Sequence, residues 1–212
     1  MKDGKMNSSC AVMILTGGSS SRFGSDKSRA LLGDISLLDH LLISLPEEFE
    51  IIIVGPEIEV NRQNLRCVVE SPIGGGPVAA IDAGLALVDT EFVVIVATDM
   101  PFASRIVVEL LKKIAKPDEI ADGLIPLDVQ NVRQSLCALY RPDSLRRALA
   151  TMGKVDGKSM RELTALLDVE DVKLSASLEG NLLDIDTQED LSRATTFREK
   201  MDPGQEMLGG EK

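Results

Sequence analysis

The sequence predicts an α/β domain with a mostly parallel sheet, helices on both faces and an antiparallel excursion in its C-terminal half. Short, continuously apolar runs, of which Phe92-Val93-Val94-Ile95-Val96-Ala97 is the fullest, alternate with segments whose apolar residues recur at helical spacing. A run apolar on both faces is what a central parallel strand requires. Two glycine-rich loops, at residues 15–27 and 71–77, each follow such a run. The alternation breaks after Lys116-Pro117-Asp118, where two strand-like runs are joined by a short polar stretch.

In chain order, residues 1–9 are polar and expected to fray. Ala11-Val12-Met13-Ile14 predicts a buried strand, and the loop from Leu15 to Lys27 follows it. Leu37, Leu38, Leu41, Leu42 and Leu45 predict a helix over residues 36–45 that Pro46 closes. Ile51-Ile52-Ile53-Val54 predicts a strand ending in Gly55-Pro56, and Cys67-Val68-Val69 another ending at Glu70. Pro77 fits the first position of a helix reaching about residue 88. The strand at residues 92–97 runs into Thr98-Asp99-Met100-Pro101, and Ile106, Val107, Leu110, Leu111 and Ile114 mark the next helix.

Residues 123–127 and 135–140 predict short strands on either side of polar residues 128–134, and residues 142–152 and 159–167 predict helices. Asn181-Leu182-Leu183-Asp184-Ile185-Asp186 alternates apolar with acidic residues, and Thr187 is placed to cap a last helix. A single domain over residues 10–199, with flexible tails at 1–9 and 200–212, is the expected organisation.

Composition narrows the function. With 44% hydrophobic and 27% charged residues the chain is globular, and with 3% aromatics and no Trp its core is aliphatic. No apolar run approaches the roughly eighteen residues of a membrane span, and residues 1–9 lack a signal peptide's apolar centre. A soluble cytoplasmic protein is expected, with no membrane partner. Cys10, Cys67 and Cys137 lack metal-ligand spacing and are expected as buried, reduced thiols. The one histidine, His40, lies on the helix at residues 36–45 and is expected to pack there. A net charge of −11 argues against nucleic acid. Yet residues 16–30 hold Arg22, Lys27 and Arg29 against Asp26 alone, which points to a small anionic ligand at one place.

The loop at residues 15–27 carries three glycines, four serines, Arg22 and Lys27 after a strand. Glycines let backbone N–H groups reach phosphate oxygens, serines add donors, and the two cations neutralise charge. The Gly74-Gly75-Gly76 loop offers a helix N-terminus, and Asp99 lies just past the carboxyl end of a central strand, where ligands of open α/β sheets bind. Together these suit a nucleoside triphosphate with Mg²⁺, which takes one or two carboxylates. Asp99 supplies one. Asp184 or Asp186 supplies a second, both falling on one face of their segment.

Gly157-Lys158-Ser159 imitates the end of a P-loop, but the upstream glycine that motif needs is Met152, so a helix-capping turn is expected. No set for nucleophilic or histidine-based catalysis is visible, which suits nucleotidyl transfer, a reaction run by positioning and electrostatics.

The pattern Leu15-x-Gly17-Gly18-x-Ser20-x-Arg22-x-Gly24-x-Asp26-Lys27, followed by Leu37-Leu38-Asp39, resembles the motif of the molybdenum cofactor guanylyltransferase family. Gly76-Pro77, Asp99-Met100-Pro101 and residues 184–191 are similar to that family's later blocks, in the family's order. The resemblance implies one Rossmann-like three-layer domain of the nucleotide-diphospho-sugar transferase type, transferring GMP from GTP to molybdenum-bound molybdopterin with release of pyrophosphate. It implies that Leu15, Thr16, Gly17, Gly18, Ser20 and Gly76 contact the nucleotide, that Arg22 and Lys27 bind its phosphates, and that Asp99 holds Mg²⁺. Gly55 and Glu70 fall at its nucleoside contacts, with Glu70 where Asp is usual, and Phe23 where Met is common.

Arg133, Gln134, Lys158, Ser159 and Arg161 lie in the more variable half, where the acceptor is expected. Partner proteins of molybdenum cofactor biosynthesis and a monomer or small homo-oligomer are implied. Two alternatives stay open: a cytidylyltransferase of the same fold acting on molybdopterin or another phosphorylated acceptor, and a nucleotide-binding module without turnover. Gly17-Gly18 favours guanine, because cytidylyl relatives more often carry Ala-Gly there.

Overall fold

The computed structural model describes residues 10–17, 31–56, 62–114 and 117–201. Its strands are β1 (Cys10–Leu15), β2 (Leu31–Leu32), β3 (Ile35–Ser36), β4 (Glu50–Val54), β5 (Leu65–Val68), β6 (Phe92–Ala97), β7 (Gly123–Leu127), β8 (Cys137–Tyr140) and β9 (Val169–Lys173). Its helices are α1 (Leu37–Ser44), α2 (Pro77–Leu85), α3 (Ser104–Lys113), α4 (Pro142–Met152), α5 (Met160–Thr164) and α6 (Gln188–Met201).

β1 and β6 are buried along their whole length because each lies inside the sheet and is covered on both faces. β1 pairs in parallel with β4 and β6, and β4 with β5. The expected antiparallel excursion is β8, which pairs antiparallel with both β6 and β7, and β9 then joins β7 in parallel. The sheet order is β5-β4-β1-β6-β8-β7-β9.

Alternate strand residues feed two cores. Val12, Ile14, Val94 and Val96 pack under α1 and α3, whereas Ala11, Met13, Val93 and Ile95 pack under α2, α4 and α5. This gives three layers. A third cluster joins Leu32, Leu37, Phe102, Ile185 and Ala194, so the β2–β3 hairpin and α6 close on the loop that follows β6.

Cys10 and Cys137 are buried, and burial pushes both thiols up to about 12. Cys67 is exposed, against expectation, because β5 is an edge strand with one neighbour. α2 stops at Leu85, short of residue 88, and α5 is shorter than the helix predicted at 159–167. Residues 181–186 are not a strand: Glu179–Leu182 forms a short 3-10 turn, and an extended segment follows. Thr187 caps α6 as expected, its Oγ1 accepting from Asp190 N–H at 3.2 Å while Asp190 accepts from Thr187 N–H at 2.9 Å. α6 continues to Met201, so residues 200 and 201 of the tail expected at 200–212 are helical; residues 1–9 and 202–212 lie outside the described residues. No helix among the described residues is long and apolar enough to cross a membrane.

Candidate active site

The carboxyl ends of β1, β4, β5 and β6 form one edge, and short bonds tie the loops leaving them together. Thr16 N–H and Oγ1 both donate to Val54 O, at 2.9 and 3.1 Å. Gly55 N–H donates to Val68 O at 2.9 Å, and Thr98 Oγ1 to Leu15 O at 2.8 Å. Gly55 has φ +147, and a Cβ there would run into Thr16 Oγ1, so only glycine lets the two loops lie this close.

Glu70 follows β5 into this edge and is only 7% exposed. Its Oε1 accepts Gly74 N–H at 3.1 Å, and a Cβ on Gly17 would sit 3.3 Å from that oxygen. The other oxygen, Oε2, is buried with no hydrogen-bond partner among the described residues. A buried acceptor left unmet costs about 1–3 kcal/mol.

Gly76, at φ +89, opens α2, with Pro77 at its first turn. The turn at residues 155–158 braces this loop through Gly157 N–H to Gly75 O at 2.9 Å. Leu15, Thr16, Gly17, Gly55, Glu70 and Gly76 therefore lie along one side of this edge. Gly18, Ser20, Arg22 and Lys27 lie outside the described residues.

Beyond Asp99 an open cavity of about 750 Å³ brings Asp99, Asp184 and Asp186 together with Arg133, Gln134 and Arg161, over a floor that includes Ala97, Met100, Leu136 and Met160. Ile185 N–H donates to Asp99 O at 2.9 Å. Ile185 is buried while Asp184 and Asp186 are exposed, so both carboxylates share the open face, as alternation requires.

Among the described residues no three His, Cys, Asp or Glu side chains form a ready-made metal cage. The cavity's carboxylates would suit only a hard cation such as Mg²⁺ that takes one or two of them and completes its shell with phosphate oxygens and water.

On the opposite wall Arg133 Nε donates to Asp171 Oδ1 at 2.7 Å, and Gln134 Nε2 to Asp128 Oδ2 at 3.0 Å. Asp128 Oδ1 also accepts from Gln130 and Val132 N–H, each at 2.8 Å, and so shapes the β7–β8 loop. Asp128 and Asp171 were absent from the sequence expectation; the Asx-turn position of Asp128 in a polar loop was the only local signal.

Lys158 and Ser159 do not line this cavity. They cap α5: Ser159 Oγ accepts Glu162 N–H at 3.3 Å, Glu162 Oε2 accepts Ser159 N–H at 2.9 Å, and Lys158 Nζ lies 2.7 Å from Glu162 Oε1. The Lys158 ammonium and the Ser159 donors hold the Glu162 carboxyl at about 2. The capping turn expected of Gly157-Lys158-Ser159 is thus present, and of the five residues expected toward the acceptor only Arg133, Gln134 and Arg161 line the cavity.

Residues 12–172 match the family described as the MobA-like NTP transferase domain. The chain is 28% identical over 203 residues to a Pelotomaculum thermopropionicum protein named "Probable molybdenum cofactor guanylyltransferase", covering 92% of this chain and 97% of that protein. Among solved structures, molybdopterin-guanine dinucleotide biosynthesis protein A from Archaeoglobus fulgidus superposes with a TM-score of 0.68 at 24% identity, over 90% of this chain and all of that one. A 4-diphosphocytidyl-2C-methyl-D-erythritol synthase from Anaerococcus prevotii superposes with a TM-score of 0.64 at 17% identity, over 90% of this chain and 98% of that one. At these identities the two structures show the shared fold.

Proposed function

The chain belongs to the MobA-like NTP transferase family and is a nucleotidyltransferase, and on that footing we propose that it transfers GMP from GTP to the terminal phosphate of molybdenum-bound molybdopterin. The name of the Pelotomaculum relative supports the acceptor. The observation that carries the reading is the cavity itself, in which Asp99, Asp184 and Asp186 face Arg133 and Arg161 beside the glycine-lined nucleotide edge. Carboxylates for a metal and guanidinium groups for a phosphate are there within one space.

Glu70 supports GTP over CTP. Its unmet Oε2 needs a hydrogen-bond donor, and its Oε1 already holds Gly74 N–H. Guanine presents two adjacent donors, N1–H and the 2-amino group, to a carboxylate. Cytosine offers a carboxylate one donor, its 4-amino group, next to the acceptor N3, whose lone pair repels the second oxygen. The shared fold with a cytidylyl enzyme does not choose the base, so the choice rests on this side chain.

In the reaction an oxygen of the acceptor phosphate attacks the α-phosphorus in line with the bond to the β-phosphate; that bond breaks and pyrophosphate leaves. Holding the two reactants in line supplies much of the acceleration. Arg133 and Arg161 orient the acceptor phosphate and reduce its repulsion from the nucleotide. Arg22 and Lys27, from the loop at residues 15–27, are assigned to the charge that builds on pyrophosphate. Asp99, with Asp184 or Asp186, would hold Mg²⁺, which when bound neutralises phosphate charge. His40 is not assigned a role as a base, because it lies on α1 and does not line the cavity that holds the three aspartates.

Pyrophosphate release measured with each of the four NTPs, with and without molybdopterin, tests the proposal. Release with GTP only when molybdopterin is present is expected. Release with CTP instead transfers the reading to a cytidylyltransferase, and no release under any condition leaves a nucleotide-binding module.

A further inference from the structure

We propose that His40 is a positioning residue for the carboxylate turn, its imidazole Nδ1–H fixing the backbone that carries Asp99; this rests on the reading of Asp99 as a metal-binding carboxylate. His40 sits on α1, far from Asp99 in sequence, and its Nδ1 is 3.2 Å from Pro101 O. A carbonyl oxygen only accepts, so Nδ1 carries the proton.

Three carbonyls of the turn are tied from outside it. Asp99 O accepts Ile185 N–H at 2.9 Å, Pro101 O accepts His40, and Phe102 O accepts Asn181 Nδ2 at 3.1 Å. Within the turn, Met100 N–H donates to Ala97 O and Ala103 N–H to Met100 O, both at 3.1 Å. Of the two side-chain ties, Asn181 is fully buried and belongs to the packing, whereas His40 is partly exposed.

The apolar duty of His40 does not need an imidazole. Its ring meets Phe102 edge-on, with centroids 5.2 Å apart, and Phe102 is held from its other side by Phe197 of α6 at 4.9 Å. Any side chain of similar bulk would fill that contact. Only a donor at the Nδ1 place reaches Pro101 O. Burial lowers the imidazole pKa, so at neutral pH the ring is uncharged and spends its single proton on this bond.

Two polar replacements separate the roles. In His40→Asn the amide nitrogen falls near the position of Nδ1 and keeps the bond; in His40→Gln it lies one methylene further and misses. Mn²⁺ binding in the presence of a non-hydrolysable GTP analogue, followed by electron paramagnetic resonance on the full chain, is the first readout, and kcat the second. His40→Gln is expected to weaken Mn²⁺ binding about tenfold and to lower kcat in step. Metal-free affinity for the analogue should stay unchanged, and His40→Asn should stay near native.

Native Mn²⁺ affinity in His40→Gln, or equal impairment of both variants, overturns the role of His40. A native protein that binds no Mn²⁺ beside the nucleotide overturns the reading of the site itself, and the role of His40 with it. Melting curves accompany each variant. If His40→Gln does not fold, His40→Leu, which keeps bulk against Phe102 and lacks the donor, takes its place in the same comparison.

Discussion

The nucleotide side and the acceptor side of the site are made of different materials. On the nucleotide side, glycines and backbone from β1, β4 and the α2 entry are stitched by strand-edge bonds, with one buried carboxylate, Glu70, among them. On the acceptor side, charged and largely exposed side chains come from β6, the β7–β8 loop, α5 and the segment before α6. A backbone wall recognises by shape and by a single unmet acceptor. A wall of exposed charges acts by field, with Arg133 and Gln134 aimed by their bonds to Asp171 and Asp128.

That difference can be broken at its strongest point first. Asp99→Asn keeps the shape of the acceptor side and removes charge; turnover should fall about a thousandfold, with metal-free GTP affinity almost unmoved. Equal losses in single-turnover rate and in nucleotide binding would erase the distinction between the two sides. Glu70→Gln probes the other wall. It replaces an acceptor by a donor facing the base, and the GTP-over-CTP ratio of kcat/KM should fall by about 10- to 100-fold, the equivalent of one unmet buried group. An unchanged ratio would place base choice elsewhere. Arg161→Ala should have the smallest effect, raising the acceptor KM about fivefold because an exposed charge contributes little. If the KM for GTP rises equally, the two walls are not separate.

Most of the parallel half was legible because its signals are local. Phe92–Ala97 is apolar at every position, as a strand covered on both faces must be, and Gly55, Gly76 and Pro77 mark turns through their own backbone limits. The far edge, β9, was not legible. β9 reads Val-Glu-Asp-Val-Lys, and only Val172 is buried, so its strand character comes from pairing with β7 rather than from its own composition. Cys67 failed in the opposite direction: an apolar neighbourhood suggested burial, but an edge strand exposes a face. β2 and β3 are two residues each, too short for any period to show.

The meeting of the three aspartates in one cavity was legible where residue type and parity decide it. Asp99 after a central strand and the Asp184/Asp186 pair needed only their identity and their parity. The ties that position them were hidden, since nothing near Asn181 or His40 in sequence says that Phe102 O and Pro101 O will be their partners. Arg133 was foreseen as a charge, but not its hold on Asp171, which requires knowing that β9 lies beside β7.

The third core cluster sets an order of events during synthesis. Leu32 and Leu37 emerge early from the ribosome, Phe102 midway, and Ile185 and Ala194 late, yet all five share one cluster. The glycines and Glu70 of the nucleotide side all precede Pro77, whereas Asp184 and Asp186 follow the end of the family match at residue 172. The carboxylates assigned to the metal are thus synthesised after the residues assigned to the nucleotide, and the cluster that packs Ile185 beside Phe102 is complete only once Ala194 of α6 is made.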